Sequence, residues 1–170
     1  SPLYALYQKE LRRFFSSYMS VLNTGLGVIL LCTFSFFLLI LPLHEIGNYL
    51  GISDPEHFLC DYAPLIVASL LTLSCSSASA ISLEGKSVWI LQSSPIPVQL
   101  IINSKLAVNL TLHAFGYCFA VFAFILRLHM NPIQFAGLII IPLCYSLFTA
   151  VLGIFYNIKY PDYEWDSEMI

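Results

Sequence analysis

Four apolar stretches without a charged residue constrain this chain more than any other feature of its sequence. They cover residues 21–43, 62–83, 106–126 and 128–158 of the 170-residue chain. An α-helix of about 20 apolar residues, rising roughly 1.5 Å per residue, spans the hydrocarbon core of a bilayer. In the last stretch Pro132 suits a first helical turn, so that helix is predicted over residues 133–158. The sequence therefore predicts an all-α fold, a polytopic membrane helix bundle with four spanning helices.

Composition supports a membrane protein and excludes several other classes. Hydrophobic residues make up 58% of the chain and charged residues only 10%, whereas a soluble domain carries about 25% charged residues. No soluble element carries a basic stripe, so we expect no nucleic acid partner. The spacing of His44, His57, Cys60 and Asp61 matches no standard metal site, and no metal is predicted. Cys60 is expected in an outward-facing loop, and both chain ends are expected to be cuts in a longer protein.

The distribution of Lys and Arg predicts the orientation. Six of the 7 basic residues fall on one side of the predicted spans, and only Arg127 falls on the other. Because the positive-inside rule counts bases, both termini and the 84–105 loop are predicted to be cytoplasmic in a multi-pass cell-membrane protein. The 159–170 tail is then cytoplasmic, while the 44–61 loop and the tight turn at 127–132 face outward.

The segment before the first span has the pattern of an interfacial helix. Within residues 2–18, Leu3, Tyr7 and Leu11 recur at helical spacing, and Lys9 and Arg12 fall on the opposite face. This pattern predicts an amphipathic helix that lies in the cytoplasmic interface. A simple topology anchor and a docking helix for a cytosolic partner are both compatible with it.

One polar stripe runs along the third span. Lys105, Asn109 and His113 follow one another at intervals of four and therefore share a helix face. Polar groups inside a membrane are costly and usually face the bundle interior or water. Asn109 and His113 are thus candidates either for a polar path, as a proton relay or substrate contact, or for an interhelical hydrogen bond.

The 84–97 segment between the second and third spans has an unusual composition. Glu84 and Lys86 follow the second span directly, and Gly85 between them permits a sharp change of backbone direction. Trp89 is an aromatic residue of the kind found at membrane interfaces. A short helix at this place between two spans is well placed to receive force from a soluble partner.

These residues carry a resemblance to a known family. The run ISLEGKSVWILQSSPIPVQLIINSKLAVNL, the opening SPLYALYQKELRRFFSSYMSVLNTG and the later KYPDYEW resemble segments of large bacterial ABC transporter permeases of the type-2 exporter class. The three segments occur in the family's order and cover roughly half of the chain. Gln92 stands where the family usually has Lys, which leaves the local basic charge lower here.

The resemblance implies a type-2 permease fold with an interfacial connecting helix over residues 2–18 and a cytoplasmic coupling helix within 84–97. Glu84, Gly85, Lys86 and Trp89 would then contact a cytosolic ABC ATP-binding subunit. ATP would be used by that partner, so no cofactor is expected on this chain. The other half of the permease, or a second copy, would complete the path, and two further spans would follow Ile170.

Two other classes of function stay open on the sequence. A membrane-embedded enzyme needs clustered acids or a Ser or His paired with a base, and the sequence offers only His113 inside a span; no catalytic residue is predicted. A structural membrane scaffold needs neither. The transported substrate cannot be read from such a sequence.

Overall fold

The computed structural model describes residues 2–16, 18–75, 93 and 95–160. Every regular element among them is an α-helix, and no strand occurs in these ranges. In chain order the helices are α1 (Pro2–Ser16), α2 (Tyr18–Ile40), α3 (Leu43–Leu50), α4 (Pro55–Thr72), α5 (Val98–Arg127) and α6 (Pro132–Lys159).

Two of these helices are long and apolar enough to cross a membrane. They are α5 and α6, while α2 contains a shorter apolar section, Thr24–Ile40. The all-helical part of the predicted fold class is therefore confirmed for the described residues, and two long apolar helices accord with a membrane protein. Residues 76–83, which the sequence placed in the second span, lie outside the described ranges.

Prolines and a capping residue account for where the helices begin and end. Helix α4 starts at Pro55, before the predicted residue 62, because the Asp54 carboxylate accepts a hydrogen bond from the His57 N–H at 3.2 Å. Helix α5 starts directly after Pro97 rather than at residue 106. Helix α2 ends before Pro42, whose ring does not suit a helix interior.

Helix α3 was not predicted and occupies part of the expected 44–61 loop. It ends at Gly51, whose φ of 69° is the left-handed conformation that glycine adopts most easily. Leu43 and Ile46 of α3 pack against the main core. Their spacing, between Pro42 and Gly51, is the signal that predicts a short helix here.

The long helices alternate in direction. Arg127 at the end of α5 bonds to carbonyls at the end of α2, so α2 and α5 run parallel. Helices α4 and α6 run the opposite way, because the start of each meets the end of α5 near Glu56, His129 and Gln134. The core between these four helices consists of buried apolar side chains, among them Leu31, Val67, Ala120, Phe124 and Leu138.

Helix α1 packs a different face from the one expected. Its buried residues are Leu6, Glu10 and Phe14, which follow one another at intervals of four. Glu10 meets Lys105 of α5 and the Phe14 ring lies beside Gly25 of α2, whereas Arg12 is exposed. The helix expected over residues 2–18 is present, and an acidic residue lies in the middle of its buried face.

Helix α2 lies in close contact with the end of α4 at Gly27. A Cβ atom added there would lie inside the contact radius of the Leu70 carbonyl oxygen and 2.9 Å from the Ser74 nitrogen. Both neighbours are backbone atoms, which cannot move aside without shifting a helix. Small residues allow close helix contacts in lipid, and Gly27 has this role here.

We predict that Gly27→Ala destabilises the protein, since overpacking typically costs about 1–3 kcal/mol. Gly25→Ala is the matched control, because its added Cβ would meet only the tip of the Phe14 ring at 3.4 Å. Both changes bring the same gain in helix propensity. Thermal unfolding of the purified protein in detergent should show a lower melting temperature for Gly27→Ala alone, and equal melting temperatures would contradict the close contact.

Candidate functional site

The polar stripe of α5 lies in the interior of the bundle. Lys105, Asn109 and His113 are 3%, 1% and 2% exposed, and they lie on one face of α5. Each side chain is therefore enclosed by neighbouring helices. A buried polar group is costly unless it is hydrogen-bonded, so its partners determine what the site can do.

Lys105 forms a buried ion pair with α1. Its Nζ atom lies 3.1 Å from a carboxylate oxygen of Glu10, and both side chains are almost fully enclosed. Lys9 approaches the same carboxylate at 3.5 Å but is half-exposed. The Lys105–Glu10 pair thus fixes α1 against the first half of α5, on the side of the bundle where α4 ends.

His113 connects three parts of the chain. Its Nε2 atom contacts the carbonyl oxygen of Ser74, and its Nδ1 atom lies 2.7 Å from the Ser146 hydroxyl. A carbonyl can only accept, so Nε2 carries the hydrogen. In the neutral imidazole, Nδ1 then accepts a hydrogen bond from Ser146. We call His113, Ser74 and Ser146 the polar junction.

The polar junction also reaches α2. The Ser74 hydroxyl accepts a hydrogen bond from the Val28 N–H at 2.9 Å. Ser74 follows the last turn of α4, so one residue joins the end of α4 to α2 and α5. His113 therefore makes interhelical hydrogen bonds, one of the two roles considered for it from the sequence.

A proline in α6 is compensated one turn along α5 from His113. Pro142 has no N–H, so the Leu138 carbonyl lacks its usual helical partner. The Tyr117 hydroxyl lies 3.3 Å from the carbonyl oxygens of both Leu138 and Ile139 and can donate to them. Tyr117 therefore satisfies the backbone that Pro142 leaves open.

A cavity of about 300 Å³ lies beside the polar junction, between α4, α5 and α6. Its inner wall consists of the buried residues Leu71, His113, Pro142 and Ser146. Its outer rim includes Ala114, Leu143 and Leu147, which are exposed. Its lining is apolar except for the His113 imidazole and the hydroxyl-bearing side chains of Ser146 and Tyr117.

A second, polar pocket of about 280 Å³ lies at the opposite end of the bundle. His129 and Glu56 line it and contact each other at 3.1 Å, and His57, also in the lining, contacts Asp61 at 3.2 Å beside the pocket. Arg127 lies at the same end and donates to the Leu38 and Leu41 carbonyls. Within the described ranges, no three His, Cys, Asp or Glu residues are arranged to hold a metal ion.

Cys60 differs from its expected environment. It lies inside α4 rather than in a loop, and it is only 5% exposed. Burial raises the pKa of the Cys60 thiol, and the negative charges of Glu56, Asp61 and Asp54 raise it further. The expectation that Cys60 lies in a loop was therefore wrong, because α4 begins at Pro55 and the Cys60 side chain packs into the core.

The residues predicted for ATPase coupling, Glu84, Gly85, Lys86 and Trp89, lie outside the described residues. Other residues of the site were missed from the sequence. Glu10 was not singled out within the amphipathic helix, and Ser146 was not noticed among many serines. The spacing of Ser146 and Ala150, one and two turns after Pro142, is the signal for a packed small-residue face.

Comparison with family models, curated proteins and solved structures gives no match to this chain.

We predict that Lys105→Met is strongly destabilising. Removing one partner of a buried ion pair typically costs about 3–5 kcal/mol, because the other charge stays buried. Lys9→Met is the matched control and should cost less than about 1 kcal/mol, since the Lys9 side chain is 44% exposed. The free energy of unfolding in mixed micelles measures both.

The double variant Lys105→Met with Glu10→Leu removes both charges and should recover much of the stability lost in Lys105→Met. Equal losses for Lys9→Met and Lys105→Met would show that the Lys105–Glu10 pair does not hold α1 in place.

We predict slow reaction of Cys60 with a water-soluble maleimide at neutral pH. The thiolate is the reactive form, and a raised pKa leaves less of it at a given pH. The rate should therefore keep rising into the alkaline range where an exposed cysteine has levelled off. Tyr49→Cys provides that exposed reference, since Tyr49 is 85% exposed. Mass spectrometry of the labelled peptides gives both rates, and equal rates at neutral pH would contradict the buried position.

Proposed function

We propose that this chain is part of the membrane-spanning permease of an ATP-driven ABC exporter. In this role it crosses the cell membrane several times with both termini in the cytoplasm, and it has no catalytic activity of its own. A cytosolic ABC ATP-binding subunit uses the ATP. The other half of the permease, or a second copy, completes the translocation path. No nucleic acid takes part.

The membrane setting is supported by how the long helices are covered. In their most apolar windows, only 39% of α5 and 33% of α6 is buried inside the bundle. The core helix of a soluble protein is covered on most sides, whereas Phe115 and Phe148 here are 72% and 60% exposed. Lipid is the environment that accommodates such side chains. In the proposed topology, α2 and α4 are the other two of the four spans.

The proposed orientation is supported by the position of the charges. Because α5 and α6 are joined by a tight turn, the start of α5 and the end of α6 lie at the same end of the bundle. Lys105 and Lys159 belong to that half, and α1 with Lys9 packs there as well. Arg127 lies at the opposite end. The basic end is the cytoplasmic one by the positive-inside rule.

The observation that carries the exporter proposal is the docking of α1 on α5. The Lys105–Glu10 pair holds an amphipathic helix beside the first turns of the helix that follows residues 84–97. The family resemblance assigns these two segments to the connecting helix and the coupling helix. An N-terminal helix fixed against the first half of α5 is an arrangement through which an ATPase could move the bundle.

A photocrosslinking experiment tests the contact with an ATPase. Benzoylphenylalanine is placed at Trp89 in the full-length protein, in its native cells, and adducts are identified by mass spectrometry. We expect an adduct with a protein that carries ABC ATP-binding motifs, and we expect Glu84→Lys to reduce it. Benzoylphenylalanine at Tyr49, exposed at the other end of the bundle, is the control and should give no such adduct.

Absence of an ATPase adduct from position 89, or an equal adduct from position 49, would contradict the coupling role of residues 84–89. Glu84→Lys leaves the apolar stretches unchanged, so its membrane insertion should match that of the parent protein.

A membrane-embedded enzyme is the second candidate, and one observation favours it. The Ser146 hydroxyl bonds to the His113 imidazole, which in turn bonds to the Ser74 carbonyl. These three groups could act as nucleophile, base and orienting group, respectively. It ranks second because Ser146 lies inside α6, where backbone N–H groups bond within the helix and are not free to stabilise an oxyanion. Covalent labelling of Ser146, but not of the Ser146→Ala variant, by a fluorophosphonate would favour the enzyme; no labelling favours the permease.

A further inference from the structure

The cavity beside the polar junction opens sideways rather than toward either end of the bundle. Its exposed rim residues belong to the apolar outer faces of α5 and α6. Those faces contact lipid in the proposed function. A molecule dissolved in the bilayer can therefore enter between the two helices without crossing a polar surface.

The inner end of the cavity has a defined hydrogen-bonding character. The His113 Nε2–H is directed to the Ser74 carbonyl, and the Ser146 O–H is directed to His113 Nδ1. Both hydrogens are thus used within the protein. Ser146 lines the cavity and its oxygen keeps lone pairs, whereas the Tyr117 hydroxyl of the same lining donates to backbone carbonyls of α6. This end therefore offers an acceptor rather than a donor.

The size and the lining of the cavity restrict the class of ligand further. A volume of about 300 Å³ is at the small end for ligand sites, which suits one hydrocarbon chain. Leu71, Leu110 and Leu143 supply apolar walls. A charged end group would be costly at this depth, because it would find no counter-charge among the residues that line the cavity.

We propose that this cavity binds a single-chain amphiphile with an uncharged hydroxyl end group, and that the hydroxyl donates a hydrogen bond to Ser146 Oγ. The hydrocarbon chain lies between Leu71, Leu110 and Leu143 and leaves toward lipid past Ala114. This site rests on the membrane placement in the proposed function, but it does not depend on the ATPase. Long-chain alcohols are the simplest members of this ligand class.

Photolabelling of the full-length protein in phosphatidylcholine vesicles tests the site. The probe is hexadecanol with a diazirine on its chain, and its methyl ether is the comparison. The ether has the same chain but cannot donate a hydrogen bond. We expect the alcohol to label residues around the cavity, and we expect the ether to label them about fivefold less, the effect of one hydrogen bond.

Two matched variants locate the labelling. Ala114→Trp fills the mouth of the cavity and should abolish labelling there. Ala136→Trp makes the same change at an exposed position of the neighbouring helix α6, outside the cavity lining, and should leave labelling unchanged. Ser146→Ala removes the acceptor and should bring the alcohol down to the level of the ether, with size-exclusion chromatography as the check on folding.

Equal labelling of Ala114→Trp and Ala136→Trp, or equal labelling by the alcohol and the ether in the parent protein, would overturn the site. The comparison of the two probes uses the unmodified protein, so it holds even if Ser146→Ala fails to fold. Labelling as expected together with no ATPase adduct at position 89 would support the site while contradicting the exporter. An ATPase adduct without cavity labelling would contradict the site alone.

Discussion

Three polar side chains along α5 hold the described helices together. Lys105 pairs with Glu10 of α1, His113 joins Ser74 after α4 to Ser146 of α6, and Arg127 bonds to carbonyls at the end of α2. In the proposed membrane setting the hydrophobic effect does not drive one apolar helix against another, so packing and directional hydrogen bonds would determine which faces are in contact. Each bond of α5 can form at only one rotation of its partner helix. The arrangement of the bundle around α5 follows from these bonds.

The close contact at Gly27 and the cavity lie on opposite sides of the polar junction. Where Ser74 bonds to Val28, small Gly27 lets the backbones of α2 and α4 touch. On the other side of His113, the junction holds Ser146 close while Pro142 leaves the Leu138 carbonyl to the Tyr117 hydroxyl. Apolar residues such as Phe124 and Leu138 pack between α5 and α6 toward one end of the bundle. Beside the polar junction the same two helices leave a space lined largely by leucines, which is the cavity.

The helices could be predicted from the sequence to the extent that apolar runs and prolines mark them. Pro42, Pro97 and Pro132 border helix ends, and the all-helical character follows from the four apolar stretches. The partners of polar groups could not be predicted in this way. The spacing of Lys105, Asn109 and His113 shows that they share a face, but it does not show which helix covers that face. Glu10, Ser74 and Ser146 are far from them in sequence, so their roles depend on how whole helices rotate. Cys60 was misplaced for a different reason: Asp54 and Pro55 begin α4 before the apolar stretch that was used to place the span.

Under the proposed function, α5 is also the element that carries movement. A push on residues 84–89 would enter α5 through its first turn at Val98, where Pro97 gives the chain a restricted direction. Lys105 ties this end of α5 to α1, and His113 lies eight residues further along, roughly 12 Å by helix rise. A rigid helix that tilts at its cytoplasmic end would move His113 relative to Ser146 and so change the distance across the cavity. The buried Lys105–Glu10 pair would then make α1 and α5 move together. A force that the ATPase applies at the cytoplasmic end would in this way reach the middle of the bundle.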